Sequence, residues 1–222
     1  MADSVQADFD RLALLPPGGL DHNAQYHRTL LRQLPSCMGE ALDLGCGTGD
    51  FARLLAARAD RVLALDFSAN MIAAARERSA GAANLQFLQA DALTWDWPVE
   101  RFDCVASIAT LHHLPLEPML QKAKAALRAG GTLLVLDLRR TGNWVEWFLL
   151  NSVAMPASAA LRLFHDGRLV RQAEERRLWN EHAKSDHYLT VAEVRRICKP
   201  ILPGAKVRRH LLWRYSLVWR KS

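Results

Sequence analysis

Nothing in these 222 residues supports a disulfide or zinc framework. The four cysteines, Cys37, Cys46, Cys104 and Cys198, stand far apart, with none of the paired spacings such frameworks use. No apolar run approaches the ~18 residues of a membrane span. The opening residues, Met1 to Asp8, are polar and acidic rather than leader-like, so a reducing cytoplasm is the expected setting. Internal repeats and low-complexity stretches are also missing, so neither a repeat array nor a compositional linker is expected.

What is present is an ordinary globular composition. Half the residues are hydrophobic, and the length suits one domain, 1–222, with a full core and a modest insertion. The net charge of +6 hides an asymmetry. Residues 1–150 hold 14 Lys and Arg against 17 Asp and Glu, whereas residues 151–222 hold 15 against 6. A basic C-terminal third suits an anionic substrate or a nucleic acid. It also suits a solvated arginine-rich surface, which the scattering into pairs such as Arg176-Arg177, Arg195-Arg196 and Arg208-Arg209 favours.

The most informative stretch is Ala41-Leu42-Asp43-Leu44-Gly45-Cys46-Gly47-Thr48-Gly49-Asp50. An apolar strand delivers Asp43, and a glycine-rich loop then opens into a helix. Glycine permits positive φ and close approach of a ligand to the backbone. The helix N-terminus beyond it suits an anion such as a carboxylate. A nucleotide-like cofactor is the expected occupant. The spacing is G-x-G-x-G, with Asp50 where the dinucleotide fingerprint needs its last small residue, which disfavours a nicotinamide cofactor. Asp66 ends a second apolar run at about the distance where an acidic residue accepts from ribose hydroxyls. Asp91 follows a third.

The remaining pattern predicts alternating units. Strands are expected at 41–45, 61–66, 85–89, 102–108 and 131–138. Helices are expected at 21–34, 49–58, 69–79 and 116–129, with Ser68 as an N-cap. Strands separated by helices imply a parallel sheet. Thr190 to Glu193 has the form of a capping box opening a helix over 191–199, which Pro200 and Pro203-Gly204 end. Two strands, 205–212 and 214–219, then form an antiparallel pair. The first fifteen residues show no clear periodicity, and Pro16-Pro17-Gly18-Gly19 is a break. Between 139 and 188 the pattern predicts helices with turns at Met155-Pro156 and Asp166-Gly167. The bulky cluster Trp144, Trp147, Phe148, Leu149 and Leu150 suits a substrate lid, a core-facing helix or a membrane-surface patch.

With Asp43 to Gly49, Asp66, Asp91, Leu111-His112-His113-Leu114 and Gly130 to Asp137 in this order and spacing, the chain resembles the class I S-adenosylmethionine-dependent methyltransferases. It is most similar to the small-molecule type that includes the ubiquinone and menaquinone C-methyltransferases. The resemblance is strong over about 36–138, fades between Arg139 and Tyr188, and resumes at the C-terminal hairpin. It implies an α/β fold: a Rossmann-like, seven-stranded, mostly parallel sheet with helices on both faces and an antiparallel final strand. An N-terminal helical segment (1–35) and a helical insertion (139–188), which would form the substrate lid, complete the domain.

The resemblance also implies roles. Gly45, Cys46, Gly47 and Gly49 would shape the pocket for the methionine end of the cofactor. Asp43 would orient that loop and help hold the ammonium. Asp66 would accept both ribose hydroxyls, Phe67 and Met71 would pack on the adenine, and Asp91 and Ala92 would read its amino edge. Backbone at Ser107 and Ile108 would reach the methionine end, and Tyr26 on the leading helix would lie near the methyl donor. Methyl transfer from a sulfonium needs alignment above all, and a base only when the acceptor starts protonated. His112 and His113 are the candidate catalytic residues, with packing as their other reading. His182, Asp186, His187 and Tyr188 form a polar cluster suited to ligating a metal or reading a substrate, but its spacing fits no standard zinc pattern, so an exposed helix end is favoured there. The expected acceptor is a small molecule, including an anionic one, methylated on O, N or C. The rival readings are an RNA or protein methyltransferase and a non-catalytic cofactor-binding protein. The first lacks support from an appended RNA-binding module or an Asn-Pro-Pro-Tyr-like tetrapeptide after the 102–108 strand, where Ile108-Ala109-Thr110-Leu111 stands instead.

Overall fold

The computed structural model describes residues 2–15, 21–167, 173–183 and 186–222. Seven strands form one sheet: β1 (Met38–Leu44), β2 (Ala59–Asp66), β3 (Leu85–Gln89), β4 (Phe102–Ile108), β5 (Leu127–Leu138), β6 (Lys206–Arg209) and β7 (Arg214–Arg220). Their order across the sheet is β3-β2-β1-β4-β5-β7-β6. β3, β2, β1, β4 and β5 pair in parallel, and β7 runs antiparallel to both β5 and β6.

The strands are apolar on both faces because helices cover both faces, and their side chains alternate accordingly. Leu42, Leu44, Val105, Leu133 and Val135 face one layer, with Met119 and Leu120 of α5 (Leu116–Ala126) and Val194 of α8 (Val191–Ile201). Ala41, Ala64, Cys104, Ala106, Leu134 and Leu136 face the other. That layer holds α2 (Ala24–Leu31), α3 (Asp50–Ala56) and α4 (Ala69–Arg78) through Leu30, Leu55 and Ile72. The strand order reverses between β1 and β4, and a ligand crevice is expected beyond the carboxyl ends of the strands there. Asp43 sits near the end of β1, in register with Ala64 and Ala106.

Local chemistry sets the helix ends as expected in two places. Ser68 accepts the Met71 N–H at 3.1 Å, and Thr190 and Glu193 form a reciprocal capping box. Four features extend or correct the sequence pattern. First, residues Ala2–Leu12 form a helix, α1, which packs against α4 and α7 (Ala173–His182). Val5, Phe9 and Leu12 supply a stripe at helical spacing that the polar residues between them conceal. Second, the chain does not turn at Met155-Pro156. A single 23-residue helix, α6 (Trp144–Asp166), runs through Pro156. Proline removes one backbone hydrogen bond there, and the alanine-rich stretch that follows it favours helix. The turn at Asp166-Gly167 is present, with Gly167 in the left-handed conformation. Third, α8 continues past Pro200 to Ile201. Fourth, the β6–β7 connection takes residues 210–213, with Leu212 and Trp213 at positive φ, and shortens the first strand. The Pro16-Pro17-Gly18-Gly19 break lies outside the described residues.

α6 also qualifies the expectation about membrane-length segments. Among the described residues it is the one helix long and apolar enough to cross a membrane by length and composition. Glu146, Asn151 and Ser152 interrupt its apolar run in the linear sequence. Trp144, Trp147, Phe148, Leu149 and Phe164 on it are exposed.

The capping box gives a direct test of how α8 is held. Replacing Thr190 by Ala removes the side-chain acceptor for the Glu193 N–H and should lower stability by about 1 kcal/mol, read as a shifted urea midpoint at unchanged slope. An unchanged midpoint would show that the box contributes nothing to the fold.

Candidate active site

The β1–α3 loop sets the geometry. Gly45, Gly47 and Gly49 all have positive φ. A Cβ at Gly45 would lie 2.2 Å from the Thr110 side chain, so this position admits glycine alone without rebuilding the loop. At Gly47 a Cβ would meet nothing within 4 Å, because that residue borders open space. Asp66, at the end of β2, fixes the loop. Its Oδ2 accepts the Gly47 N–H at 2.8 Å and its Oδ1 accepts the Ser68 N–H at 3.0 Å. A carboxylate has further lone pairs, so both oxygens can still accept from a ligand. Burial holds the Asp66 carboxyl above its usual range, against the lowering by these backbone donors.

The loop opens onto a cavity of about 530 Å³ beyond the carboxyl ends of β1, β2 and β4. Asp21, Asp43, Asp50, Asp66 and Asp91 all line it. The cavity is therefore acidic in a chain that is basic overall, which suits a cationic ligand and repels a pyrophosphate. Asp43 is the most unusual of the five. It is 1% exposed, neither carboxylate oxygen has a well-formed hydrogen bond, and among the described residues the Ala52 backbone N–H is the one donor near enough to lower its pKa. Burial, with the Asp66 charge nearby, pushes its pKa up to about 7.

Gly45, Cys46, Gly47, Phe67, Met71, Ala92 and Ile108 line the same cavity. The Asp91 carboxylate also accepts the Leu93 N–H at 2.8 Å. Three expected residues do not line it. Tyr26 faces away: its hydroxyl donates to the Leu211 carbonyl at 2.6 Å, and its ring lies against His210. One residue on, about 100° round the helix, His27 lines the cavity instead and packs on Phe51. Ser107 is buried in the sheet, where its hydroxyl donates to the Leu44 carbonyl at 3.1 Å. Gly49 acts from behind the wall as the left-handed N-cap of α3.

At the other end, the 3₁₀ turn Leu111–His113 follows β4 and brings two imidazoles to the cavity. His112 Nδ1 lies 2.6 Å from Oδ1 of buried Asp137 on β5. His113 stacks beside His112 and His182, with its edge toward Phe9. Burial and the two flanking imidazoles push its pKa down to about 3. His182 and Asp186 are not on an exposed helix end: their side chains are 3% and 4% exposed. Asp186 Oδ1 is 3.3 Å from His113 Nδ1, and the Tyr188 hydroxyl donates to Asp186 Oδ2. α1 and α7 close this end through Phe9 and Trp179. Sequence reasoning missed Phe9, His27, Thr110 and Trp179. The helical spacing of Val5 and Phe9 was the one available signal.

A glycine loop and a set of aspartates at a topological switch point define a protein that binds a cationic, nucleoside-type cofactor. A family model for the methyltransferase domain matches residues 41–131. An uncharacterized methyltransferase of Mycobacterium tuberculosis is 31% identical over 205 residues, covering 89% of this chain and 95% of that protein. A 2-phytyl-1,4-naphtoquinone methyltransferase of Thermosynechococcus vestitus is 34% identical over 162 residues, covering 66% and 72%. Among solved structures, an S-adenosylmethionine-dependent methyltransferase from Mesorhizobium loti shares the fold, with a TM-score of 0.60 at 19% identity over 91% of this chain and all of that one. The chain belongs to the class I S-adenosylmethionine-dependent methyltransferases and is an enzyme of that class. Its cofactor carries a sulfonium and an ammonium, which fit a cavity walled by aspartates and an unpartnered buried carboxylate.

The Asp43 carboxyl has a measurable consequence without ligand. Its folded pKa of about 7 lies above the ordinary 3.8, so the folded state holds this proton more tightly than the unfolded chain does. Its contribution therefore falls as pH rises from about 4 to about 7 and is level above that. Asp43→Asn should remove that decline, leaving the variant more stable than wild type at pH 8 by up to ~4 kcal/mol. Denaturant midpoints measured from pH 4 to 8 test this, and parallel curves for the two proteins would contradict it.

Proposed function

We propose that this enzyme methylates an O, N or C atom of a small-molecule acceptor in the cytoplasm, with Trp179 and His187 of the 139–188 insertion on the acceptor wall. The observation that carries the reading is the division of one cavity. Aspartates line the loop end, and Phe9, His112, His113 and Trp179 line the other. The naphthoquinone named for the Thermosynechococcus relative fits an end of that kind.

The bound cofactor supplies an electrophilic methyl group. The chain's residues do the rest. Asp43 ionises to pair with an ammonium, and Asp66 offers its free lone pairs to ribose hydroxyls while holding Gly47. Asp91 and Ala92 would border the adenine, and Phe67 and Met71, which line the same cavity, would pack on it. His112, oriented by Asp137, presents its second ring nitrogen to the acceptor and takes a proton where the attacked group carries one. Trp179 and Phe9 exclude water from the acceptor end. The acidic cavity weighs against RNA as the acceptor, because a phosphate backbone would have to approach that rim.

Calorimetric titration with S-adenosylhomocysteine tests the reading. Wild type should bind one equivalent, and Asp66→Ala should weaken binding roughly 10–100-fold, since it removes charged hydrogen bonds to the ligand and frees Gly47. A labelled methyl donor should then mark a metabolite of low molecular mass in an extract. Label appearing only in tRNA or protein would overturn the small-molecule reading. Cofactor binding with no labelled product would favour a non-catalytic binding protein.

A further inference from the structure

We propose that His112, His113 and Asp186 form a binding site for a divalent transition-metal ion of the zinc class, at the acceptor end of the cavity. Each residue offers one ligand atom, and these atoms all lie within 4.8 Å of one another. A tetrahedral zinc site brings such atoms to ~3.3 Å, so side-chain rotations of about an ångström complete it. Two imidazoles and one carboxylate suit zinc, nickel, copper or ferrous iron, whereas calcium and magnesium prefer all-oxygen sets.

Three observations point to a ligand here rather than to ordinary packing. His113 is 9% exposed at its side chain, yet neither ring nitrogen has a hydrogen-bond partner. Asp186 Oδ1 is likewise buried and makes no hydrogen bond, facing His113 Nδ1 at 3.3 Å and His182 Nε2 at 3.7 Å outside hydrogen-bond geometry. His112 is already tied through Nδ1 to Asp137, which leaves Nε2 as its free ligand atom. A carboxylate behind a histidine is the arrangement that orients metal-bound imidazoles. His182 Nε2 lies beside the three ligand residues. The sequence conceals the set because two adjacent histidines and a distant aspartate match no zinc spacing. Asp186 lies beyond the end of α7, and its carboxylate meets the 3₁₀ turn at His113.

His112 and His113 line the cavity, so an open coordination position would face the acceptor. On the proposed function, the ion would favour an oxygen-bearing acceptor and promote loss of its hydroxyl proton in place of the His112 base. Metal binding itself does not depend on that reading.

The test uses untagged full-length protein freed of metal by a chelator, then titrated with Zn²⁺ against a chromophoric competitor. Wild type should hold about one Zn²⁺ per chain, and Co²⁺ in its place should give visible bands of a four-coordinate site. Asp186→Asn and His113→Ala should each weaken Zn²⁺ at least 100-fold, and Asp137→Asn about 10–100-fold. His165→Ala, on the half-exposed end of α6, should change nothing. S-adenosylhomocysteine titrations on the same preparations separate the two sites. Wild type that binds this ligand but no Zn²⁺ overturns the metal site alone, and Zn²⁺ without this ligand overturns the methyltransferase reading alone. Should His113→Ala fail to fold, the near-isosteric Asp186→Asn decides, and wild-type affinity in that variant overturns the proposal.

Discussion

The buried carboxylate of Asp43 has no cationic partner among the described residues, and the arrangement around it follows from that. A charge held out of water without compensation costs the fold several kcal/mol, and such groups persist where a ligand completes them. Burial and the neighbouring Asp66 keep the carboxyl protonated up to about neutral pH. A cation placed beside it reverses the balance. On the proposed reading, the site gives up stability in the empty state and recovers it on binding, by coupling cofactor capture to ionisation.

The scaffold makes this arrangement rigid. Asp43 sits in β1, between β2 and β4, with leucines on one face and small residues on the other. Asp66 reaches across the strand ends and ties the loop at Gly47 to the start of α4 at Ser68. One carboxylate therefore waits for the ligand and another both faces it and holds the loop. On the proposed function, the acceptor meets the far end of the cavity, which the 3₁₀ turn, Phe9 of α1 and Trp179 of α7 line.

Much of this was legible in the sequence because it is local. The strands were continuous apolar runs, the loop carried its glycines and aspartates in a specific order, and the caps at Ser68 and Thr190 had their chemistry within three residues. What was not legible depends on tertiary contact or on a single-residue rotation. Tyr26 and His27 are adjacent, and nothing in the sequence says which faces the cavity. Phe9 belongs to a helix whose stripe of three apolar residues is thin. Pro156 looked like a break because the cost of one lost hydrogen bond is visible in sequence, whereas the stability of the remaining helix is not. The cluster of His112, His113, His182 and Asp186 joins the best-recognised part of the chain to the least recognised part, so neither half revealed it.

The central claim is that Asp43 stays unpaired until it meets the cofactor's ammonium. The most direct measurement is calorimetry across pH 5.5 to 8 with two ligands, S-adenosylhomocysteine and 5′-methylthioadenosine, which lacks the amino-acid end. The account predicts that below pH 7 S-adenosylhomocysteine binding releases up to about one proton, whereas 5′-methylthioadenosine releases none and binds more weakly. Equal proton release for the two ligands would contradict it, because the carboxyl would then not be answering the ammonium.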